Sequence, residues 1–468
     1  MSAALPCFMI CFLPVCIGCD SSNAPSHIDS TEDGVPDIIE EDARGSGPDT
    51  HSDDSRAPDG VVDDVDSAQT TETAVSDAGP DFDEDSGSVG LDAQEVDTFQ
   101  VVGPDCPALQ YGSGWNMPAQ AQYCDLAGVN LSGADLTGAD LTGADLLDAT
   151  LDRSLLSGAT LTRARMTRAR LRGAELGNAT MNHALMSEAR FESLGEKRTI
   201  LVRASFEDAN MSGVILQGAD MEGAIGNRAN LRGAVLSNTT MVSVQLANAR
   251  LEDADLSNSD LTRAILVGAT FSGAIWGDAT GALAGPQLRE ADLSEADLSG
   301  AELLYADLRS SNLSRANLTR ASMEGADLSD AVLAETVLVQ AGFLGSNLSR
   351  ISLRTAFIDN ASFKYARLID ADLDGVDFEE GELTGAFLNG ATAVGANFER
   401  ARMSGSKLVG TKANAANLLG ADLSWADLTG ASLSQATLSG VDWTGATCPD
   451  GAIVTGSAVW SCEDHLAE

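Results

Sequence analysis

The chain has 468 residues and a formal net charge of −42, from 70 acidic and 28 basic side chains. This excess of acid leaves no broad basic surface of the kind that binds nucleic acid, so no nucleic-acid partner is expected. The length would allow several domains, but one short repeat runs through most of the chain and favours a single solenoid.

An apolar segment occupies residues 1–18 and ends just before Cys19. It is shorter than a typical membrane span and has the character of a secretory signal peptide. The run CIGC, which ends at Cys19, resembles the lipobox of bacterial lipoproteins. The resemblance implies lipidation of Cys19 and a lipid anchor in a membrane of the bacterial cell envelope, on a periplasmic or surface-exposed protein. Ordinary secretion and a cytosolic protein remain as alternatives.

Residues 19–104 are predicted to form a disordered, Asp-rich tether. Residues 20–104 hold 24 acidic and 2 basic side chains, which is a net charge of −22. The stretch is rich in Asp, Ser, Gly and Pro and nearly lacks aromatic residues. Charge repulsion and the shortage of apolar surface keep such a segment unfolded and extended.

From Leu126 onward, a large apolar residue recurs at every fifth position. The first series fills 31 positions from 126 to 276, interrupted only by Glu196 and Gly226. After a shift of two residues, a second series fills 32 positions from 288 to 443, with Ala393 and Ala413 as its small members. A period of five fits neither an α-helix nor a long strand.

Short extended segments joined by corners satisfy this period. The residue two positions before each large residue is nearly always small, so both can face inward, with Asp or Asn between them facing water. Ser, Thr, Gly and Asp at the remaining two positions suit a corner in each pentad. Such repeats gain a core only by stacking.

The run LSGADLTGADLTGADL at 131–146 resembles the pentapeptide-repeat family, whose pattern is A(D/N)LXX. The resemblance covers about residues 125–447. It implies an all-β fold, a right-handed quadrilateral parallel β-helix with four pentads per coil. Roughly 16 coils at ~4.8 Å each would give a rod of roughly 75 Å. We divide it into a first segment, 125–280, and a second segment, 281–447.

Two stretches interrupt the repeat. Residues 192–200 break the pattern but keep the phase, so they form either a degenerate half-coil or an extruded loop. Residues 276–288 contain the two-residue shift, with Gly281, Gly285 and Pro286, and are predicted to form a bulge or kink.

Both ends of the repeat carry two cysteines and a tryptophan. We predict an N-terminal cap at 105–124 and a C-terminal cap and tail at 448–468, since the open ends of a β-helix need covering. An exported protein favours disulfides. The predicted pairs are Cys106–Cys124 and Cys448–Cys462. A zinc site is the alternative, but it would require all four cysteines to meet.

No constellation of residues points to catalysis. The histidines are scattered over the tether, the repeat and the tail: His27, His51, His183 and His465. The repeated carboxylates are expected on an open face, without the dry pocket that separates the pKa values of an acid and a base. The chain is therefore predicted to be no enzyme and to hold no cofactor or metal.

Two surface patterns are candidate binding surfaces. In the second segment, Tyr305, Tyr365 and Trp425 share one column of residues 20 apart, with glycine between them. Either each ring covers a neighbouring glycine corner, or the rings form an exposed comb for glycans or peptides. The first segment holds a cluster of arginines, either a partly paired, solvated face or an anion-binding collar: Arg163, Arg165, Arg168, Arg170 and Arg172.

These observations favour a non-enzymatic, envelope-anchored protein that presents a rigid rod to an envelope protein or polysaccharide. The partner itself is unknown, and the membrane is reached through the N-terminal lipid. The family resemblance implies one alternative: some pentapeptide-repeat proteins imitate duplex DNA in shape and charge and bind DNA gyrase. The acidic composition is compatible with this, whereas an export signal opposes it.

Overall fold

The computed structural model describes residues 121–277, 285–456 and 461–466. All of them belong to one compact unit, Val89–Glu468. The predicted signal peptide 1–18, the predicted tether 19–104, the predicted lipidation site Cys19 and most of the predicted N-terminal cap lie outside the described residues.

The backbone is a four-sided parallel β-helix, which confirms the predicted all-β solenoid. One extended residue of each pentad forms a parallel bridge to the residue 20 positions later, from Asp125↔Asp145 to Asp427↔Thr447. Each strand is a single bridge residue, and four pentads make one coil. Within the described ranges the one helix is a 3₁₀ turn, Glu463–His465, and no helix has the length and apolar character to cross a membrane.

Each corner of a coil is a hydrogen-bonded β-turn. In a typical corner the Ala134 amide donates to the Leu131 carbonyl at 3.0 Å, and Gly133 between them has φ +68°. A positive φ at this place is the hallmark of a type II turn and favours glycine or asparagine. Many corners nevertheless hold a bulkier residue at positive φ, including Arg153 and Tyr305.

The Asp or Asn of each pentad closes the next corner, which corrects the expectation that it only faces water. The Asp135 Oδ1 accepts the amide of Thr137 at 3.1 Å. At Asp140 the same oxygen accepts both the amide and the hydroxyl of Thr142, at 3.0 and 2.6 Å. The carboxylate or amide oxygen thereby holds the chain in a turn, as in an Asx-turn. This local bond explains why Asp or Asn recurs just before the large apolar residue.

The interior is a column of alternating small and large apolar side chains. Leu141, Ala144 and Leu303 are fully buried, as are most of their equivalents. Gly226 stands in a large-residue position because the Phe206 ring of the preceding coil occupies the space a side chain would need. Larger rings stack along the axis, as Phe343 and Phe363 do with centroids 5.1 Å apart. The coils therefore share one continuous core.

The interruption at 192–200 is an extruded loop. Bridge partners here lie 25 residues apart, as in Glu175↔Ile200, so the coil keeps its four sides and the five extra residues bulge outward. An antiparallel bridge, Leu194↔Lys197, closes the loop. Glu196 consequently stands in the loop and not in a core position.

Three parallel bridges cross the phase shift at 276–288, and the expected fourth, between Ile275 and Glu302, is missing from the series of the described residues. Asp260↔Gln287 and Thr270↔Asp297 lie 27 residues apart, so the second segment stacks directly on the first. Residues 278–284, within this stretch, lie outside the described part of the chain.

A disulfide and an ion pair hold the C-terminal cap. Cys448 and Cys462 are joined with an S–S distance of 2.06 Å, and the His465 Nδ1 lies 2.8 Å from the Asp450 Oδ2. The chain reverses through an antiparallel bridge between Thr447 and Ile453. At the other end Cys124 is disulfide-bonded. Cys106, its predicted partner, lies outside the described residues.

One regular corner departs from the turn geometry. Thr355 occupies the position that has positive φ in the corners on either side, at Arg350 and Asn360, but does not adopt it. A β-branched side chain strongly disfavours that conformation. The Thr355 hydroxyl accepts the Glu335 amide at 3.0 Å. Within the described residues, the bridge expected between residues 332 and 352 is missing from the series.

Candidate functional site

Tyr305, Tyr365 and Trp425 form a line along one corner of the solenoid, which we call the aromatic ridge. Each stands at the positive-φ position of its turn, with φ of 55°, 55° and 60°. They are three coils apart, which corresponds to about 14 Å at ~4.8 Å per coil. The register predicted from the sequence therefore places them in a single column.

Each ridge ring lies over the glycine corner of the next coil. A β-carbon placed on Gly325 would lie 2.6 Å from ring atoms of Tyr305, and one placed on Gly445 would lie 2.6 Å from the Trp425 ring. The Tyr365 ring covers Gly385 in the same way. The rings still remain 45%, 49% and 69% exposed in chain order. One face of each ring thus covers backbone, as the first interpretation expects, and the rest of the ring meets solvent.

The ridge is notched between its rings. Gly345 and Gly405 stand in the same column, and no side chain lies within 4 Å of where their β-carbons would be. Leu304 and Leu344 flank the corner and are exposed. The ridge is therefore a row of protruding aromatic rings, separated by glycine corners that no side chain covers. Side chains of a partner can fit between the rings.

The five predicted arginines come together on the first segment, where most of them are already paired. Arg168 makes two hydrogen bonds of 2.8 Å to Asp148, one coil earlier. These bonds hold the pKa of the Asp148 carboxyl below its usual value. Arg165 pairs with Asp145 at 2.6 Å.

Arg170 and Arg172 converge on one carboxylate. Asp152 is buried, and its Oδ2 lies 2.8 Å from Arg170 and 2.6 Å from Arg172. Within the described ranges Arg163 has no ion-pair partner within 4.0 Å. Four of the five cations thus contact one of three carboxylates, which favours the compensated face over the anion-binding collar.

Sequence reasoning missed a fourth aromatic corner. Tyr123 has φ 56°, is exposed, and its ring covers Gly143 of the next coil. The signal was available, because Tyr123 precedes a corner glycine by 20 residues, as the ridge residues do. Its column lies two pentads away from the ridge, on the opposite corner of the coil.

A groove of about 500 Å³ lies where the ridge meets the C-terminal cap, and we call it the C-terminal groove. Trp425, Asp442, Trp443 and Ile453 contribute to its walls. Trp425 and Ile453 are exposed, whereas Trp443 is buried. This groove is not predictable from the repeat, because the chain reversal after Cys448 that forms one wall does not follow it.

Comparison with solved structures finds other solenoids of the same repeat. HetL, a pentapeptide repeat protein involved in heterocyst differentiation regulation from the cyanobacterium Nostoc, is 25% identical over 63% of this chain and 91% of its own, with a TM-score of 0.22. QnrB1, a plasmid-mediated fluoroquinolone resistance protein, is 18% identical over 43% of this chain and 90% of its own, with a TM-score of 0.25. These low TM-scores carry no argument about function. Comparison with curated proteins finds no match.

The family model described as pentapeptide repeats matches most of the solenoid. Its matched ranges together extend from residue 122 to 275 and from 282 to 445, with a gap at 193–196. That gap falls within the extruded loop, and the break at 276–281 falls where the phase shifts. The chain belongs to the pentapeptide repeat family.

Proposed function

We propose that this protein is a non-enzymatic interaction protein of the bacterial cell envelope, anchored through a lipid on Cys19. Its rigid solenoid would present the aromatic ridge to an envelope protein or polysaccharide. The observation that carries the proposal is the ridge, three half-exposed rings in register along one corner of a continuous ladder. Exposed aromatic side chains held by a rigid backbone are favoured interface anchors, because ordering them costs little entropy.

The first experiment concerns the anchor. Cell fractionation, followed by mass analysis of the mature N-terminus, should find the protein in a membrane fraction with a lipid-modified Cys19. A Cys19→Ser variant should be released from the membrane. An unmodified protein with an intact Met1 in the cytosol would contradict the envelope location.

The second experiment concerns the ridge. The double variant Tyr305→Ser/Tyr365→Ser should lose binding to isolated envelope fractions, both cell-wall polysaccharide and solubilised membrane protein. Tyr123→Ser is the matched control, because its ring covers a glycine in the same way on the opposite corner. Binding that persists unchanged in the double variant would show that the ridge is no interface.

DNA gyrase is a second candidate partner, and it is implied only by the family. The excess of carboxylates favours it, since residues 105–468 carry the −20 that remains of the −42 after the tether's −22. A pull-down with purified gyrase tests this directly. Gyrase capture combined with a cytosolic location would replace the envelope proposal.

A further inference from the structure

The C-terminal groove contains an ionised carboxylate without a matching cation. The Asp442 Oδ1 accepts the amide and the hydroxyl of Thr444, at 2.9 and 2.6 Å, and these bonds lower the pKa of the carboxyl. Its other oxygen has no hydrogen bond or ion pair within the described residues. Asp422, one coil earlier, forms the bridge with Asp442, so two like charges are stacked here.

No arginine neutralises Asp442. Some other acidic residues of the solenoid are paired with an arginine 20 residues later, as in Asp208–Arg228 and Asp330–Arg350. At Asp442 the ladder ends, and no basic side chain lines the groove. The local charge therefore favours a cation brought by another molecule.

The groove also supplies an aromatic surface. Trp425 is 69% exposed, and with one side of its ring on Gly445 it offers the remainder to a ligand. Trp443 lines the groove, is 4% exposed, and its Nε1 has no hydrogen-bond partner. An indole surface beside a carboxylate attracts a planar cation, because the guanidinium group can stack on the ring and still form an ion pair.

We propose that the C-terminal groove binds an arginine side chain of a partner polypeptide, with the guanidinium group stacked on Trp425 and paired with Asp442. The inference rests on the proposed interaction function and specifies a protein, not a polysaccharide, as the partner at this end of the ridge.

The test uses the full chain and two small probes, N-acetyl-arginine amide and its neutral isostere N-acetyl-citrulline amide. Tryptophan fluorescence and NMR titration should show binding of the arginine probe that weakens with added salt, and at least about tenfold weaker binding of the citrulline probe, since the charge-assisted bond is lost. Asp442→Asn should weaken binding of the arginine probe about tenfold. This variant keeps an oxygen that can accept from Thr444.

Tyr123→Ser is the matched control, because it removes a ring that covers a corner glycine far from the groove and should leave binding of the arginine probe unchanged. Equal binding of both probes, or full binding by Asp442→Asn, would overturn the proposal. Preferential binding of cellobiose, abolished by Trp425→Ala, would assign the groove to a saccharide instead. Loss of envelope binding in Tyr305→Ser/Tyr365→Ser tests the ridge separately, so failure of the groove and failure of the proposed function are distinguishable.

Discussion

The arginine cluster and the aromatic ridge both lie on the outer surface of the solenoid but leave their side chains in different states. In the cluster, Arg168 finds Asp148 one coil away, and Arg170 and Arg172 share Asp152. On the ridge, each ring finds only a glycine below it and remains about half exposed or more. Residues 20 positions apart are stacked neighbours, so a charged side chain can pair with an opposite charge on the next coil. The same stacking cannot bury a large ring at a corner.

The difference suggests separate roles for the two regions. Paired charges contribute local stability and solubility, and their guanidinium groups are no longer free for a ligand. Half-exposed rings on a stiff backbone keep apolar area available for a partner. Loss of a carboxylate in the cluster should therefore lower stability alone, whereas loss of the glycine beneath a ridge ring should lower both stability and binding.

The largest effect is expected at Asp152. Asp152→Ala removes a buried acceptor and leaves the guanidinium groups of Arg170 and Arg172 without their carboxylate. We expect a loss of about 3 kcal/mol in the free energy of unfolding, with allowance for the partial exposure of both arginines. Urea denaturation followed by circular dichroism measures the loss. Binding to the ridge should be unaffected.

Asp148→Ala provides the matched control in the same cluster. Its pair with Arg168 is exposed on both sides, so solvent and salt screen the interaction. The urea midpoint should move far less than in Asp152→Ala. Equal losses in the two variants would mean that burial does not make the ion pairs of Asp152 more stabilising than the exposed pair of Asp148.

The next effect concerns the support beneath a ridge ring. Gly385→Ala places a methyl group where the Tyr365 ring lies, at a φ of +65° that L-residues disfavour. We expect about 1 kcal/mol from the backbone and about 1 kcal/mol more from displacement of the ring. Binding to envelope fractions should fall as well, because Tyr365 is moved.

Gly405→Ala isolates the backbone contribution. Its φ is +66°, and no side chain lies within 4 Å of the added methyl group. The free energy of unfolding should fall by about 1 kcal/mol only. If both glycine variants lose the same stability and bind equally well, the rings do not depend on the glycine beneath them.

A smaller effect, of opposite sign, is expected at Thr355. Thr355→Asn replaces a β-branched residue by one that accepts positive φ, so the missing bridge can form. We expect a gain of about 1 kcal/mol, and slower hydrogen exchange at the amides of Leu333 and Ser352. Asn360→Thr is the reciprocal change at a regular corner and should lose a similar amount. A neutral result at both positions would show that side-chain branching does not control the corners.

Much of this fold was predictable, because each pentad repeats the same inward and outward positions. The five-residue period predicted the core, and the four-sided coil predicted the ridge column of Tyr305, Tyr365 and Trp425. The local bonds were harder to foresee, since the Asp135 carboxylate contacts an amide only two residues away. The ion pair of Arg168 depends on whether its long side chain extends to the preceding or to the following coil. The 20-residue register alone does not determine this direction. The C-terminal groove depends on a chain reversal outside the repeat.

The smallest effect for a single residue is expected in the stability of the fold at acidic pH. The pKa values of Asp135, Asp140 and Asp442 are lowered, chiefly by hydrogen bonds from the threonine hydroxyl two residues later. A carboxyl whose pKa is lowered in the folded state contributes stability at pH values above its unfolded-state pKa, which is near 3.8. This stability is lost as the pH falls through the lower folded-state pKa.

The stability measured by urea denaturation should therefore be steady near neutral pH and decline below about pH 4. Asp135→Asn/Asp140→Asn/Asp442→Asn should flatten that decline, because the amide oxygen still accepts the turn hydrogen bond but does not titrate. An unchanged acid profile in the triple variant would mean that other carboxylates, such as the paired Asp148, carry the pH dependence.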